Sequence, residues 1–331
     1  MKPSALLRAG LIMGFIGIIG PTIVWAQGGV TQKVGNVTLA VEGSLGGMFG
    51  NVTYRIGGLT QYQSGESTTY HYPISKLEFP LNNVMARLGL SADLGRFGAT
   101  ATFSKNLTTA AGTMKDSDWS DTSSPSTKTI FSESDSELDA LIANVGLNMY
   151  FMKARGPYRS TLSGTLGFLY EDFYWENSNF DQSYPSTPWL AHDYYSGGGI
   201  TYETTLMMPY IGLTEQISVK NLDLSDSFNF APWARIEDED DHTYRNIRAN
   251  MTADGMATQC ALQGVLNLTP EIYLFMRGEV LVYWADGTSE NYVYGVGVNN
   301  SSVDSVGETW TIEEDIGSTQ FTALAGVGFK L

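Results

Sequence analysis

The sequence predicts an all-β fold, a ten-stranded antiparallel transmembrane β-barrel with long extracellular loops, and three of its features carry that prediction. First, long stretches alternate with period two. Ile272, Leu274, Met276, Gly278, Val280, Val282 and Trp284 fall on one face, while Tyr273, Phe275, Arg277, Glu279, Leu281 and Tyr283 fall on the other. One side is therefore apolar and the other holds a charge pair. Phe321, Ala323, Ala325, Val327, Phe329 and Leu331 repeat the pattern, as do Leu162, Gly164, Leu166, Phe168 and Tyr170. Second, the connections are of two kinds, brief turns and long polar stretches, which is how an outer-membrane barrel distributes its periplasmic and extracellular ends. Third, seven Trp and eighteen Tyr supply residues for aromatic girdles at the two membrane interfaces.

Taken in order, residues 1–26 read as a signal peptide. Lys2 and Arg8 precede an apolar run from Leu11 to Val24, and Val24-Trp25-Ala26 offers a small-residue cleavage pattern before Gln27. Residues 27–331 contain no linker, repeat or composition break, so they are expected to form one barrel domain. No later segment approaches the ~20 apolar residues a membrane helix needs. Strands are expected at 37–56, 70–93, 97–115, 134–153, 158–178, 197–219, 222–240, 247–268, 271–288 and 314–331. Short turns at Leu94-Gly95-Arg96, Ala154-Arg155-Gly156-Pro157, Lys220-Asn221-Leu222 and Thr269-Pro270-Glu271 follow every second strand. An even count lets both ends return to the periplasm. The strands exceed the ~9–11 residues that cross a bilayer, so the barrel should project beyond the membrane on its long-loop side. Cys260, the sole cysteine, excludes an intramolecular disulfide and reads as a small apolar filler.

Without the leader the chain carries 17 basic and 35 acidic residues, a net charge of about −18, which disfavours nucleic acid as a partner. From Gly278 to Phe329 there is no Lys or Arg, while Glu313, Glu314 and Asp315 are among the carboxylates there. A negative rim of this kind attracts cationic substrates.

Chemistry is concentrated in two acidic motifs, Asp116-Ser117-Asp118-Trp119 and Asp238-Glu239-Asp240-Asp241-His242. Only three histidines occur, His71, His192 and His242, so a histidine inside a carboxylate run is not a consequence of composition. A carboxylate two residues away can fix the imidazole tautomer and stabilise its charged form, as a base that activates water requires. Acidic surface loops also contain histidines by chance, and that bland reading stands beside the hydrolytic one. Counting strands from a periplasmic N-terminus brings both motifs to the same outer rim, from the third and seventh strands, roughly opposite one another. A calcium site is the other alternative. Asp116, Asp118, Asp121, Asp238 and Asp240 offer hard oxygens, but the spacing lacks the glycine and distal glutamate of a calcium loop.

At these residues the chain resembles the omptin family of outer-membrane aspartate/histidine proteases. The resemblance lies in the two acidic motifs, in Met208-Pro209-Tyr210-Ile211-Gly212-Leu213-Thr214 and more loosely in Ile74-Ser75-Lys76-Leu77-Glu78-Phe79, in an order that spans the mature chain. It implies an endopeptidase of the bacterial outer membrane with its active site facing outward. In that reading Asp116 and Asp118 form one catalytic pair, and Asp240 and His242 the other. It further implies polypeptide substrates cut near basic residues, Asp238 as one carboxylate of the pocket for the side chain before the cut, and no metal or other cofactor beyond a lipopolysaccharide requirement.

Two departures from the family pattern bear on specificity and lipid. The second pocket carboxylate falls on Asn51, a neutral residue, which should weaken discrimination for arginine. The places aligned with lipopolysaccharide-binding arginines fall on Phe173 and Thr205, leaving Arg245 and Arg248 as substitutes or as partners of the acidic loop. Two further readings are a weakly active or inactive barrel serving as adhesin or surface receptor, and a porin. A ten-stranded lumen is narrow enough for groups such as Arg277 and Glu279 to fill, which counts against a porin.

Overall fold

The computed structural model describes residues 37–119, 124–154, 158–296 and 306–331, so the expected leader lies outside the described residues. The strands are β1 (Thr38–Tyr62), β2 (Ser67–Thr69), β3 (Ser75–Pro80), β4 (Asn83–Asp93), β5 (Phe97–Asn106), β6 (Ala110–Asp118) and β7 (Ile130–Ala154), followed by β8 (Tyr158–Ser183), β9 (Asp193–Val219), β10 (Leu222–His242), β11 (Ile247–Asn267), β12 (Ile272–Val293) and β13 (Thr309–Lys330). Each is antiparallel to its neighbours, and β13 pairs with β1 from Ala40↔Lys330 to Tyr62↔Trp310, which closes the ring. β3 continues the line of β4, and β6 that of β5, with β3 and β6 paired to each other above the β4–β5 pair. The wall therefore has the ten staves that the alternation predicts.

The second and third staves are each interrupted, which the sequence reading did not foresee. Asn106 bridges the gap with its side chain, donating to the Leu138 carbonyl at 2.7 Å and accepting the Ala140 N–H at 2.8 Å. The strands also run past their expected outer ends, β13 beginning at Thr309 and β7 at Ile130. Above the membrane both faces are polar, so backbone pairing persists where the hydropathy signal has gone. At the other end Leu94–Arg96 and Lys220-Asn221 make tight turns, with Gly95 and Lys220 at positive φ, whereas Arg155–Pro157 lie outside the described residues.

The predicted faces are observed. Outward Leu88, Leu147, Leu166, Ile211, Leu262 and Met276 are each more than half exposed and form an apolar belt suited to lipid. Cys260 also lies exposed on the outside of β11, two residues from Leu262, and so belongs to this belt and not to the packed interior expected of a filler. Inside, Glu279 bonds Arg277 and takes the Arg87 guanidinium at 2.6 Å, while Arg277 reaches Gln263 at 2.9 Å. One carboxylate thus bridges two guanidiniums, in a lumen that keeps a polar cavity of about 290 Å³ beside them.

Candidate active site

Two bulges decide which way the acidic motifs face. On β10, Asn229 and Ala231 point inward, and the ladder to β11 slips by one residue between Ala231 and Ala234. Past that slip Ala234, Ile236, Asp238 and Asp240 take the inward positions, because one extra residue inverts the parity of everything beyond it. Pro232 sits inside the bulge, where its missing N–H costs no ladder bond. A second bulge lies between Ala110 and Gly112 opposite β7, with Gly112 at φ 118°, a conformation that favours glycine. It turns Met114, Asp116 and Asp118 to the inner face. Without these bulges both motifs would face outward.

The floor beneath them is aromatic. Phe79 stacks on Tyr202 with ring centroids 4.2 Å apart, and Tyr54 and Trp175 lie 5.3 and 5.6 Å from the same ring. The Trp175 indole N–H donates to the Pro80 carbonyl at 2.8 Å, which anchors the floor to the broken second stave. Two phenols rise from this layer to the acidic motif. Tyr202 donates to Asp238 Oδ2 at 2.8 Å, and Tyr54 donates to Asp240 Oδ2. His242 Nε2 meets that same Asp240 oxygen at 2.9 Å.

The Asp116–Asp118 pair comes close enough to this group for the charges to interact across the cleft. Burial pushes the Asp116 carboxyl well above the usual carboxylate range, the charges of Asp118 and Asp240 push the same way, and Arg245 opposes them. Asp118 is likewise raised by burial, against a hydrogen bond from Ser75 and the positive ends of Arg245 and His242. Burial carries Asp238 up to about 7, although Tyr202, Glu314 and the Met251 N–H all stabilise its charged form. Glu314, buried on β13, is raised well above its ordinary value, first by burial and then by the charge of Asp238. The two phenols are held protonated by burial and by the carboxylates they face.

All four expected catalytic side chains and Asp238 thus meet in one cleft, while the other expectations fare differently. Asn51 does not join them. It alternates with inward-facing Val52 and Tyr54 and pairs with exposed Thr319, so it faces the outer side of β1. Phe173 lies inside the barrel with its ring edge against Trp175 at 5.7 Å, so it does not occupy a lipid-facing position. Thr205 pairs with Asp172 and Glu237, and Glu237 in turn bonds Arg235 at 3.2 Å, so that outward stretch holds charges of both signs. Arg248 binds Asp241 at 2.7 Å, the local pairing weighed from the sequence, and Arg245 acts on the aspartate pair. Asp121 lies outside the described residues, and among those described no three His, Cys, Asp or Glu are grouped as metal ligands would be. Tyr54 and Tyr202 escaped the sequence reading because no local motif marks them, and Ser75 stood in it only as part of the Ile74–Phe79 stretch. Glu314 was visible only as one carboxylate of an acidic stretch.

A family model described as Omptin family matches residues 38–312. The chain belongs to the omptin family. Omptins are outer-membrane β-barrel proteases whose active sites face outside, and this barrel accordingly sits in the outer membrane with its long-loop end outward. The plasminogen activator of Yersinia pestis is 24% identical over 170 residues, covering 50% of this chain and 52% of that protein, so the match spans about half its length. The outer membrane protease OmpT from Escherichia coli superposes with a TM-score of 0.69 at 21% identity, over 89% of this chain and 97% of its own. That likeness is one of fold.

Proposed function

We propose that this omptin is an endopeptidase that hydrolyses peptide bonds near basic residues by direct attack of water. The observation that supports the reading best is the convergence of Asp116 and Asp118 from β6 with Asp240 and His242 from β10 over one aromatic floor. With Nε2 engaged by Asp240, the Nδ1 nitrogen of His242 is left to take a proton from water. Among the described residues no group hydrogen-bonds the buried Asp116 Oδ1 and Asp240 Oδ1, which suits them to receive that water. Hydroxide attacks the scissile carbonyl carbon, and the proton on His242 later passes to the leaving amine. Asp238 offers a carboxylate to a cationic side chain before the cut. Lipopolysaccharide is the candidate activator, and Arg235, beside Glu237 on the outer face near Thr205, offers it a cation.

The test is peptide turnover by the refolded barrel carrying Asp240→Asn, His242→Ala, or both. Each single change is expected to lower kcat by about 100-fold to 10,000-fold, and the double change little further, because base and orienter act as a unit. A folded His242→Ala barrel with unchanged turnover ends this reading and leaves the adhesin or receptor alternative.

A further inference from the structure

The inner face of β7 at its outer end is a run of hydroxyls, Ser132, Ser134 and Ser136, set two residues apart and all buried. Ser132 stands opposite Asp116 on β6 and Ser134 opposite Met114. Ser136 faces Asn177 on β8, one row above the pairing of Leu138 with Trp175 in the aromatic floor. The run therefore descends the wall from the aspartate pair to the floor. Asn177 is 0% exposed, and Ser134 and Ser136 are 3% each. Asn177 donates its Nδ2 to the Ile200 carbonyl at 3.2 Å. Among the described residues no group hydrogen-bonds its Oδ1, Ser134 Oγ, Ser136 Oγ or Asp116 Oδ1 at the head of the run. Buried polar atoms are almost always paired, with protein or with ordered water. The amide and carboxylate oxygens at the two ends only accept, so the row needs donors, which water supplies in both directions. Two hydrogen bonds of ~2.8 Å placed end to end through one water span ~5.5 Å, which suits side chains that are opposite one another or two apart on a strand.

We propose that Ser134, Ser136 and Asn177 hold internal water behind the aspartate pair, and that this water occupies one lone pair of Asp116 Oδ1, keeping the carboxylate turned and charged for its part in the cleft. This rests on the endopeptidase reading for the use of Asp116, though not for the water itself. The second lone pair of that oxygen stays free for the water that attacks the peptide. All three side chains are positioning residues, since they reach substrate only through Asp116. A hydrogen bond to a carboxylate favours its charged form. Asp118 from β6, Asp240 from β10, Arg245 from the turn after β10 and the Tyr54 phenol from β1 face Asp116 as well and stay in place when the internal water is lost. Loss of that water should therefore make Asp116 ionise at higher pH, which moves the acid limb of the activity profile upward and leaves its plateau.

A crystal structure of the refolded wild-type barrel tests the water directly. Ordered water should lie within ~3.2 Å of Ser134 Oγ, Ser136 Oγ and Asn177 Oδ1, and a wall with none there would overturn the proposal. The pH profile of kcat/KM tests its use. Ser134→Ala and Ser136→Ala should each raise the acid limb by about one pH unit, with the plateau within about twofold of wild type. Ser134→Thr, which keeps the hydroxyl, should bring the limb back. A limb unmoved in both alanine variants, an equal loss at every pH, or a Ser134→Thr profile like that of Ser134→Ala would each overturn the proposal. If the alanine variants do not fold, the crystal structure decides alone. A hydrated wall in a barrel that cuts no peptide supports the water assignment and counts only against the endopeptidase reading.

Discussion

Tyr54 on the first strand donates its hydroxyl to Oδ2 of Asp240 on the seventh stave, the same oxygen that His242 Nε2 meets at 2.9 Å. Two donors on one oxygen hold the carboxylate in a single orientation, and that orientation sets the imidazole. Tyr54 is thus a positioning residue. Tyr54→Phe keeps the ring beside Tyr202 and Phe79 and removes only the hydroxyl. The loss of a hydrogen bond to a charged group is ~1.5–3 kcal/mol, so kcat should fall about 10-fold to 100-fold with KM nearly unchanged. Steady-state kinetics on one peptide decide it; a rise in KM at constant kcat would mean that Tyr54 binds substrate instead.

The outward aspect of Asn51 bears on the first strand's part in specificity. Asn51→Glu should leave the ratio of kcat/KM for Arg and Gln peptides as it is, whereas Asp238→Asn should lower that ratio. Restoration of arginine preference by Asn51→Glu would show that β1 turns its other face to the pocket.

Reagents offer a separate check. Cys260 lies on the lipid face, far along β11 from the residues that pair with the acidic motif, so its alkylation should be detectable by mass with no loss of turnover. Serine-directed reagents and EDTA should also leave activity intact. Inactivation by chelator that calcium or zinc reverses would favour the metal reading.

Stability and activity should respond to pH in opposite directions. Asp116, Asp118, Asp238 and Glu314 all titrate above their ordinary values in the folded barrel. Between the ordinary carboxylate value and the folded one, the native state binds more protons than the unfolded state, so stability declines as pH rises. For Asp238 the window runs from 3.8 to about 7. The slope is at most about 1.4 kcal/mol per pH unit per group. The Tm of the detergent-solubilised barrel should therefore fall from acid to neutral pH, and less steeply in Asp238→Asn, while turnover, which needs ionised aspartates, should rise. Parallel Tm profiles for wild type and variant would discard this account.

The ten staves, the apolar outer face, the charged lumen and the two acidic motifs were legible from the chain itself, though not the breaks in the second and third staves, because alternation with period two is a local property that each strand carries alone. Arg277 and Glu279 could be placed on the inner face of β12 in this way, and Met276 on the outer. What tertiary structure decided is which face of the acidic motifs looks inward. A one-residue bulge at Pro232-Trp233 and another at Gly112 invert parity, and alternation cannot register an inversion where both faces are polar. Asn51 and Phe173 were placed by the family resemblance, and the strands turn them the other way, Asn51 outward and Phe173 inward. Only ring closure brings β13 beside β1, and only shared burial joins Glu314 to Asp238 across β11 and β12. Partners separated by that many residues leave no spacing in the sequence to be read.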